Sequence, residues 1–253
     1  TLHCEPSWAN LRDKVVAGVL DAASLLAPLP LATAMGVGGI RADMVTGLAL
    51  SLNGNAITVA NHLAHELDKF GSRSAHSANS SAQALQSWLQ QRGGKRLLTL
   101  ACAHTFSCHI FQLHSWLRSA NLDPARDVRI IVLPPEQMVD SLARGSIDGF
   151  CVGEPWNTVA VQSGVGSVLA TGHQIWNNAI EKVLGVTQRW HSNNPATHLR
   201  LRLAVMEACQ WLTDPAHRVE AADILSRPEF LNLPARLLLP SLAGQFQFSK
   251  EGE

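Results

Sequence analysis

The chain alternates short apolar runs with longer stretches in which apolar residues recur at helical spacing. Short apolar runs are typical of buried strands, and the longer stretches are typical of amphipathic helices. The alternation predicts an α/β fold in which helices join parallel strands. Strands are predicted at 20–27, 48–52, 128–133 and 147–152, after Gly93-Gly94, and in "VLGV" from Val183; helices are predicted at 11–18, 55–69, 82–92, 108–119, 136–144, 155–163, 196–212 and 217–226.

Two stretches interrupt this rhythm. Residues 70–81, "FGSRSAHSANSS", are rich in Ser, Ala and Gly and predict a surface loop or a frayed helix end. The stretch "GGKRLLTLACAH" breaks the pattern with two glycines before an apolar strand, which marks a domain boundary. We therefore predict a first lobe over 1–94, a second lobe over 95–181 and a return to the first lobe over 182–253.

Charge and cysteine content narrow the function classes. The 20 basic and 20 acidic residues cancel and are not concentrated anywhere, which argues against direct nucleic-acid binding. No apolar run approaches the roughly 18 residues that span a bilayer. Five cysteines without a C-x-x-C pair favour free thiols and a cytoplasmic protein. The alternative is a periplasmic protein or a membrane-anchored lipoprotein, because a chain that begins with Thr1 looks as if its natural N-terminus is missing.

Candidate binding residues stand where strands are predicted to end. In open α/β sheets, ligands bind beyond the carboxyl ends of the strands, where helix N-termini offer unpaired N–H groups and a positive dipole end. Trp, Asn and His side chains add neutral donors, and a lysine adds positive charge. This combination predicts a site for a small anion. The candidates are Trp8 in "PSWAN", Asn55 in "SLNGNAIT", His109 in "TFSCHIF", Pro135 in "LPPEQMV" and Lys182 in "IEKVLGV".

Each candidate also has an ordinary structural explanation. Trp8 could fill a core, and Asn55 could cap a helix without any ligand. His109 could be a buried structural histidine, and Lys182 a solvated surface lysine. Taken singly, none of these residues identifies a site.

Enzyme and metal motifs find little support. "HLAHE" has neither order of residues found in zinc proteases, and no G-x-S-x-G or P-loop pattern occurs. His104, His109 and His114 are five residues apart, so successive rings point about 140° apart on a helix and do not share a face. We predict no metal ligands, no cofactor and no catalytic residues. A remote alternative is a small-molecule enzyme that uses the neighbours Cys108 and His109.

Several stretches together resemble one protein family. They are "SWANLRDKVVAGVLDAASLLAPLP", "LALSLNGNAIT", "VLPPEQMVDSLARGSIDGFCVGEPWN", "IWNNAIEKVLGV" and "LLLPSLAGQF". They are similar to the nitrate- and bicarbonate-binding proteins of bacterial ABC uptake systems, a family with cytoplasmic relatives that sense nitrate or nitrite. The resemblance implies a two-lobed periplasmic-binding-protein fold of type II, with a hinge between the lobes. It also implies that both ends are truncated and that a central strand of the first lobe is missing.

The resemblance implies a ligand site in a cleft between the lobes. Its family positions match the five candidates above. Asn55 stands where the family has Gln, which shortens that donor by one methylene and favours a slightly wider site or a smaller anion such as nitrite. Val152 and Gly153 complete the predicted set, since Gly153 lets the backbone pass close to the cleft.

Lys182 bears on the identity of the anion. Family members that bind bicarbonate with calcium have an acid at this position, and a lysine would repel the cation. We therefore expect nitrate or nitrite. The main hypothesis is a non-enzymatic sensor of nitrate or nitrite that controls an antiterminator protein. The alternative is the substrate-binding component of a nitrate or bicarbonate ABC transporter, with a membrane permease as its partner.

Overall fold

The computed structural model describes residues 1–72, 77–93 and 96–250. The chain folds as two compact units, each built from separate segments. Unit 1 comprises Thr1–Leu52, Phe106–Cys108 and Ile180–Gly244, and unit 2 comprises Asn53–Thr105, His109–Ala179 and Gln245–Glu253. The main crossings between units therefore fall after residues 52 and 179, whereas the predicted lobes changed after residues 94 and 181.

The described residues contain eight strands and twelve α-helices. The strands are β1 (Ala23–Leu26), β2 (Met44–Leu52), β3 (Asn55–Ala60), β4 (Leu98–Cys102), β5 (Val128–Val132), β6 (Gly149–Gly153), β7 (Gly166–Thr171) and β8 (Ile180–Thr187). The helices are α1 (Trp8–Val16), α2 (Pro28–Ala34), α3 (Asn61–Asp68), α4 (Ala78–Arg92), α5 (Cys108–Ser119), α6 (Pro135–Ala143), α7 (Trp156–Gln162), α8 (Gly172–Ile175), α9 (Gln188–Asn193), α10 (Pro195–Thr213), α11 (Arg218–Leu225) and α12 (Ala235–Ala243).

Unit 1 contains a three-stranded antiparallel sheet in the order β1-β8-β2. Its core is apolar and includes Leu25, Leu26 and Leu29, none of which is exposed to solvent. Trp8, at the start of α1, packs against this core and is partly buried. The central strand β8 carries Lys182, opposite Leu26 in β1. Unit 1 therefore positions Trp8 and Lys182 on neighbouring elements.

Unit 2 contains a five-stranded mixed sheet in the order β5-β4-β6-β3-β7. Strand β4 is parallel to both β5 and β6, while β3 is antiparallel to β6 and β7. The main apolar core of this unit surrounds Trp116 of α5, whose indole N–H donates to the Ala78 carbonyl and the Ser81 hydroxyl at 3.0 Å each. The expected α/β class is confirmed, but the expectation of parallel strands holds only for β4, β5 and β6.

The predicted helix 55–69 is wrong over its first six residues. Residues 55–60 form strand β3, in which every residue is buried, and the helix α3 begins only at Asn61. The run Ile57-Thr58-Val59 is β-branched, which suits a strand that pairs on both sides. Asn53 and Gly54 precede it with positive φ angles of 51° and 81°, a turn that favours Asn and Gly. Asn55 therefore begins a strand and does not cap a helix.

Other predicted elements agree more closely. The helix predicted at 108–119 matches α5 at both ends, and the strand predicted at 128–133 matches β5 to within one residue. The pattern missed α2 and β7. Of the predicted loop 70–81, residues 78–81 belong to α4, while 73–76 lie outside the described residues, as do Gly94 and Lys95 beside the predicted domain boundary.

The buried side chain of Asn157 in α7 makes hydrogen bonds to strands β3 and β6 of unit 2. Its amide donates to the Val152 carbonyl at 2.9 Å, and its side-chain oxygen accepts from the Thr58 hydroxyl at 2.7 Å. Asn157 and Thr58 are completely buried. Because buried polar groups are costly without partners, these two bonds fix α7 against β3 and β6. The same two strands carry Asn55 and Gly153.

We predict that Asn157→Ala lowers the free energy of unfolding by about 2–4 kcal/mol, because it leaves the buried Thr58 hydroxyl and Val152 carbonyl without their partner. Urea denaturation followed by circular dichroism measures the change. The control is Asn79→Ala, at an exposed position of α4, which should stay within about 0.5 kcal/mol of the original chain. Equal effects of the two substitutions would contradict the role of Asn157.

Cys102 makes the free energy of unfolding depend on pH in the alkaline range. Burial at the end of β4 raises the pKa of its thiol from 9.0 to about 11, and the thiol lies 3.7 Å from the His104 carbonyl. The folded state therefore keeps this proton at pH values where the unfolded chain loses it. The resulting contribution is complete below pH 9 and is lost as the pH rises towards 11.

We predict that between pH 9 and 11 the unfolding free energy of Cys102→Ala falls less steeply than that of the original chain. The expected difference in slope is about 1.4 kcal/mol per pH unit, the value for one proton. Urea unfolding at several pH values measures it. Cys4→Ala, which changes an exposed cysteine, is the control and should keep the original slope. Parallel curves for all three proteins would show that Cys102 does not titrate in this way.

Candidate functional site

The candidate residues of unit 2 lie along one edge of its sheet. Strands β4, β5 and β6 are parallel, with Cys102 opposite both Val132 and Cys151, so their carboxyl ends share this edge. Strand β3 runs the other way, and its first residue Asn55 pairs with Gly153, the last residue of β6. Strand β7 ends beside them, since Thr171 pairs with Ala56.

The carboxyl ends of β4, β5 and β6 each lead to a candidate residue at this edge. His109 is the second residue of α5, the helix that follows β4, and Pro135 is the first residue of α6, which follows β5. Val152 and Gly153 end β6. The fold thus brings the unit 2 candidates to one edge, as the strand-end argument predicts, although Asn55 reaches it from the start of an antiparallel strand.

Asn55 and His109 are almost completely buried, with 3% and 2% of their surface exposed. Val152 is buried as well, but its carbonyl accepts from Asn157 and so has a structural partner. Gly153 is partly buried, and a Cβ atom there would meet only the Gly54 carbonyl, at 3.8 Å. The backbone at Gly153 is therefore open enough for a close approach.

Sequence reasoning missed two further residues of this cluster. Gln112 lies three residues after His109 on α5, so both side chains share one face of the helix. Its amide donates to the carbonyl of Gly172 at 3.4 Å. A Cβ atom at Gly172 would overlap the Asn55 side-chain oxygen and would lie 3.0 Å from Nε2 of Gln112. Helical spacing from His109 is the signal that could have identified Gln112.

The candidates of unit 1 form a second group. The Lys182 ammonium lies 5.4 Å from the centroid of the Trp8 ring, close enough for a cation–π interaction. Trp8 begins α1, whose N-cap Ser7 accepts from the backbone N–H of Asn10 at 3.3 Å. The Lys182 side chain is only 20% exposed, so it is not the solvated surface lysine that the sequence alone allowed.

The structure adds an acidic residue that the sequence reasoning overlooked. The Lys182 ammonium donates to a carboxylate oxygen of Glu181 at 2.9 Å, and the Glu181 side chain is only 3% exposed. A buried carboxylate requires such a partner. The positive charge of Lys182 is therefore offset by its neighbour. The adjacency of Glu181 and Lys182 in the sequence was the available signal.

Cys108 is a poor candidate for a nucleophile. Its thiol donates to the Ile180 carbonyl at 3.2 Å. Burial, followed by the charge of Glu181 and a hydrogen bond to it, raises the pKa of this thiol from 9.0 to about 12. The nucleophilic form of cysteine is the thiolate, which is scarce at neutral pH when the pKa is so high. The remote enzyme alternative therefore lacks an activated thiol.

Residues 1–72, 77–93 and 96–250, which the structure describes, bear on metal binding and on membrane crossing. Among these residues, no group of three or more His, Cys, Asp and Glu side chains is placed to hold a metal ion. Within the same part of the chain, no helix combines the length and the apolar character needed to cross a membrane.

The chain is similar to proteins of nitrate and bicarbonate import. It is 38% identical to the nitrate import ATP-binding protein NrtC of Synechocystis sp. PCC 6803, over 98% of this chain and 36% of that protein. It is 28% identical to the bicarbonate-binding protein CmpA of Synechococcus elongatus, over 98% of this chain and 55% of that protein. The chain thus spans between about a third and about half of these relatives.

A solved structure gives the same result. The crystal structure of the periplasmic nitrate-binding protein NrtA from Synechocystis PCC 6803 matches with a TM-score of 0.87 and 29% identity. The match covers 98% of this chain and 63% of that one. It confirms the predicted periplasmic-binding-protein fold.

The prediction of a cytoplasmic protein is wrong, because the structure that the chain matches so well is that of a periplasmic protein. The prediction rested on free cysteines. Cys102, Cys108 and Cys151 are buried, where a thiol is protected as a small apolar group, so free thiols do not report the redox compartment.

The relatives also weigh against the sensor hypothesis. Their names refer to the binding and import of nitrate or bicarbonate, and none refers to an antiterminator. The relatives that are named as binding proteins are consistent with a non-enzymatic function, by family likeness alone. The model of the NMT1-like family matches residues 1–226. The chain therefore belongs to the NMT1-like family and resembles nitrate- and bicarbonate-binding proteins.

Proposed function

We propose that the chain is the anion-binding part of a nitrate or bicarbonate ABC import system. The observation that carries this proposal is the shared edge of the unit 2 sheet, where Asn55, His109 and Gly153 lie together. Related proteins bind nitrate or bicarbonate, and this supports the same class of ligand here.

The chemistry of unit 2 suits a small oxyanion. An Asn amide and a His ring supply N–H donors without any formal negative charge. Helices α5 and α6 begin at the same edge, and their first turns add backbone N–H groups and positive dipole ends. Burial strengthens each of these hydrogen bonds, because the effective dielectric constant is lower than in water.

Unit 1 contains a charged donor of its own. Lys182 carries three N–H bonds, and its hydrogen bond to Glu181 uses one of them. Trp8 holds the ammonium from another side and can donate its indole N–H. Lys182 can donate to nitrate and to bicarbonate alike, so it does not choose between these two anions.

The similarity to NrtC fits the same proposal. The chain contains no G-x-x-x-x-G-K-[ST] motif, so it lacks the phosphate-binding loop that ATP hydrolysis requires. It covers only 36% of that relative. We infer that it corresponds to a non-hydrolytic, anion-binding portion of the import machinery, with a membrane permease among its partners.

We predict that nitrate or bicarbonate stabilises the 253-residue chain. At 100 times its dissociation constant, a ligand that binds only the folded state should add about 2.7 kcal/mol to the unfolding free energy. Thermal unfolding with each anion measures this effect. Chloride at equal ionic strength and an alkanesulfonate are the controls. If neither nitrate nor bicarbonate stabilises the chain more than chloride does, the proposed function is wrong.

We predict that Lys182→Met weakens binding of the stabilising anion at least about ten-fold, equivalent to about 1.4 kcal/mol, because a charged donor is lost. Isothermal titration calorimetry measures the affinity. Lys69→Met is a matched control, since Lys69 also pairs with a nearby glutamate, Glu66, at the end of α3 in the other unit, where both side chains are exposed. An unchanged affinity in the folded Lys182→Met protein would remove Lys182 from the proposal.

A further inference from the structure

A cavity of about 400 Å³ lies in unit 2, at the opposite edge of the sheet from Asn55 and His109. Leu97, which directly precedes β4, and Asp127, which directly precedes β5, both line it. Asn55 and His109 lie instead near the carboxyl ends of these parallel strands. Each strand has five residues, so about 13 Å of strand separates the two edges. The cavity is therefore a separate place on the same unit.

Two of the arginines that line the cavity, Arg96 and Arg126, have acidic partners and still keep further donors. Arg126 donates from Nε and Nη2 to the Asp127 carboxylate, at 2.9 and 3.2 Å. Arg96 donates from Nη2 to the Asp148 carboxylate, at 2.7 Å. A guanidinium has five N–H groups, so most of them remain for a ligand. The side chains of Arg96 and Arg126 are 58% and 73% exposed, so a ligand can reach them from solvent.

Arg92 is a third arginine in the lining of the cavity. Its guanidinium lies 4.8 Å from the centroid of the Trp88 ring, and it donates no hydrogen bond to any residue that the structure describes. It belongs to the last turn of α4, where a positive charge is favourable beside the helix end. Arg118 has the same position in the last turn of α5 but lies outside the lining of the cavity. Arg92 is therefore the arginine with the most donors to offer.

The remaining wall of the cavity is partly apolar. Leu89, Leu97 and Leu122 line it, and Leu97 is 49% exposed. The volume lies within the range of small-molecule sites, roughly 300–1,000 Å³. Nitrate and bicarbonate are small ions that would leave most of this space empty. The cavity therefore suits a ligand that has an apolar body as well as a polar group.

The charges around the cavity indicate what the polar group is. The three arginines outnumber the carboxylates of Asp127 and Asp148 by one. A single negative charge on the ligand would balance this excess. A guanidinium binds a carboxylate through two parallel N–H bonds, which match its planar shape.

We propose that this cavity binds a small organic carboxylate, whose charged group pairs with Arg92 and whose apolar body lies against Leu89, Leu97 and Leu122. The inference adds a second ligand site to unit 2. It goes beyond the proposed function and does not rest on it.

Isothermal titration calorimetry of the 253-residue chain with sodium 3-phenylpropionate tests the proposal, since this probe carries one carboxylate on an apolar body. We expect a dissociation constant below about 1 mM. The neutral analogue 3-phenylpropionamide should bind at least about ten-fold more weakly, because it lacks the charge. Acetate should also bind at least about ten-fold more weakly, because it lacks the apolar body.

Arg92→Gln should weaken binding of 3-phenylpropionate at least about ten-fold, because it removes the charged donor without leaving a described residue short of a hydrogen-bond partner. The matched control is Arg118→Gln, which removes the same charge from the same position of the neighbouring helix and should stay within about two-fold. Both variants should keep the response of the original chain to nitrate and bicarbonate.

Three results would overturn the proposal. The first is an original chain that does not bind 3-phenylpropionate, or that binds the amide as tightly, and this result does not depend on any variant folding. The second is an equal effect of Arg92→Gln and Arg118→Gln. The third is displacement of the probe by nitrate or bicarbonate, which would place it at the other edge of the sheet. The proposed function is judged by nitrate and bicarbonate alone, so either proposal can fail while the other stands.

Discussion

The insertion of β3 between β6 and β7 is the constraint on which unit 2 depends. All six residues of β3 are buried, so its backbone groups must find partners on both sides. The antiparallel register with β6 supplies those partners and places Asn55 opposite Gly153. A slip of one residue would turn every side chain to the opposite face. Because Asn157 bonds to both β3 and β6, the fold resists such a slip.

Unit 1 follows a different principle, in which charges are balanced within the fold. The buried carboxylate of Glu181 lies beside the Lys182 ammonium, and Trp8 covers that ammonium with its ring. The pair has no net charge, so its attraction for a distant anion is weak. In the proposed function, Lys182 therefore acts mainly through short-range donation. This distinguishes a residue that recognises an anion from one that only attracts it.

Part of this arrangement could be predicted from the sequence. Local signals sufficed for α5 and β5, because helical spacing and a short apolar run reflect elements whose burial is settled nearby. They failed at residues 55–60, where pairing with strands about 90 to 115 residues away decides the structure. The strand-end argument still places Asn55 at an edge of the sheet, since the turn at Asn53 and Gly54 follows the end of β2. Its position did not depend on the type of element that follows.

Gln112 and Glu181 could not be found in this way, since their significance lies in contacts that the sequence does not reveal. Glu181 looks like an ordinary surface acid until its burial is known. The cytoplasmic prediction failed for a similar reason, because the number of cysteines says nothing about whether their thiols are accessible.

The cluster around Asn55 depends on the absence of a side chain at Gly172. The position carries a hydrogen atom where any other residue would carry a carbon, and that carbon would overlap the amide of Asn55. The φ angle of Gly172 does not require glycine, so the backbone would accept alanine and only the cluster would suffer. In the proposed function, a single added methyl group here displaces the Asn55 amide and so removes an anion donor without replacing any residue that contacts the anion.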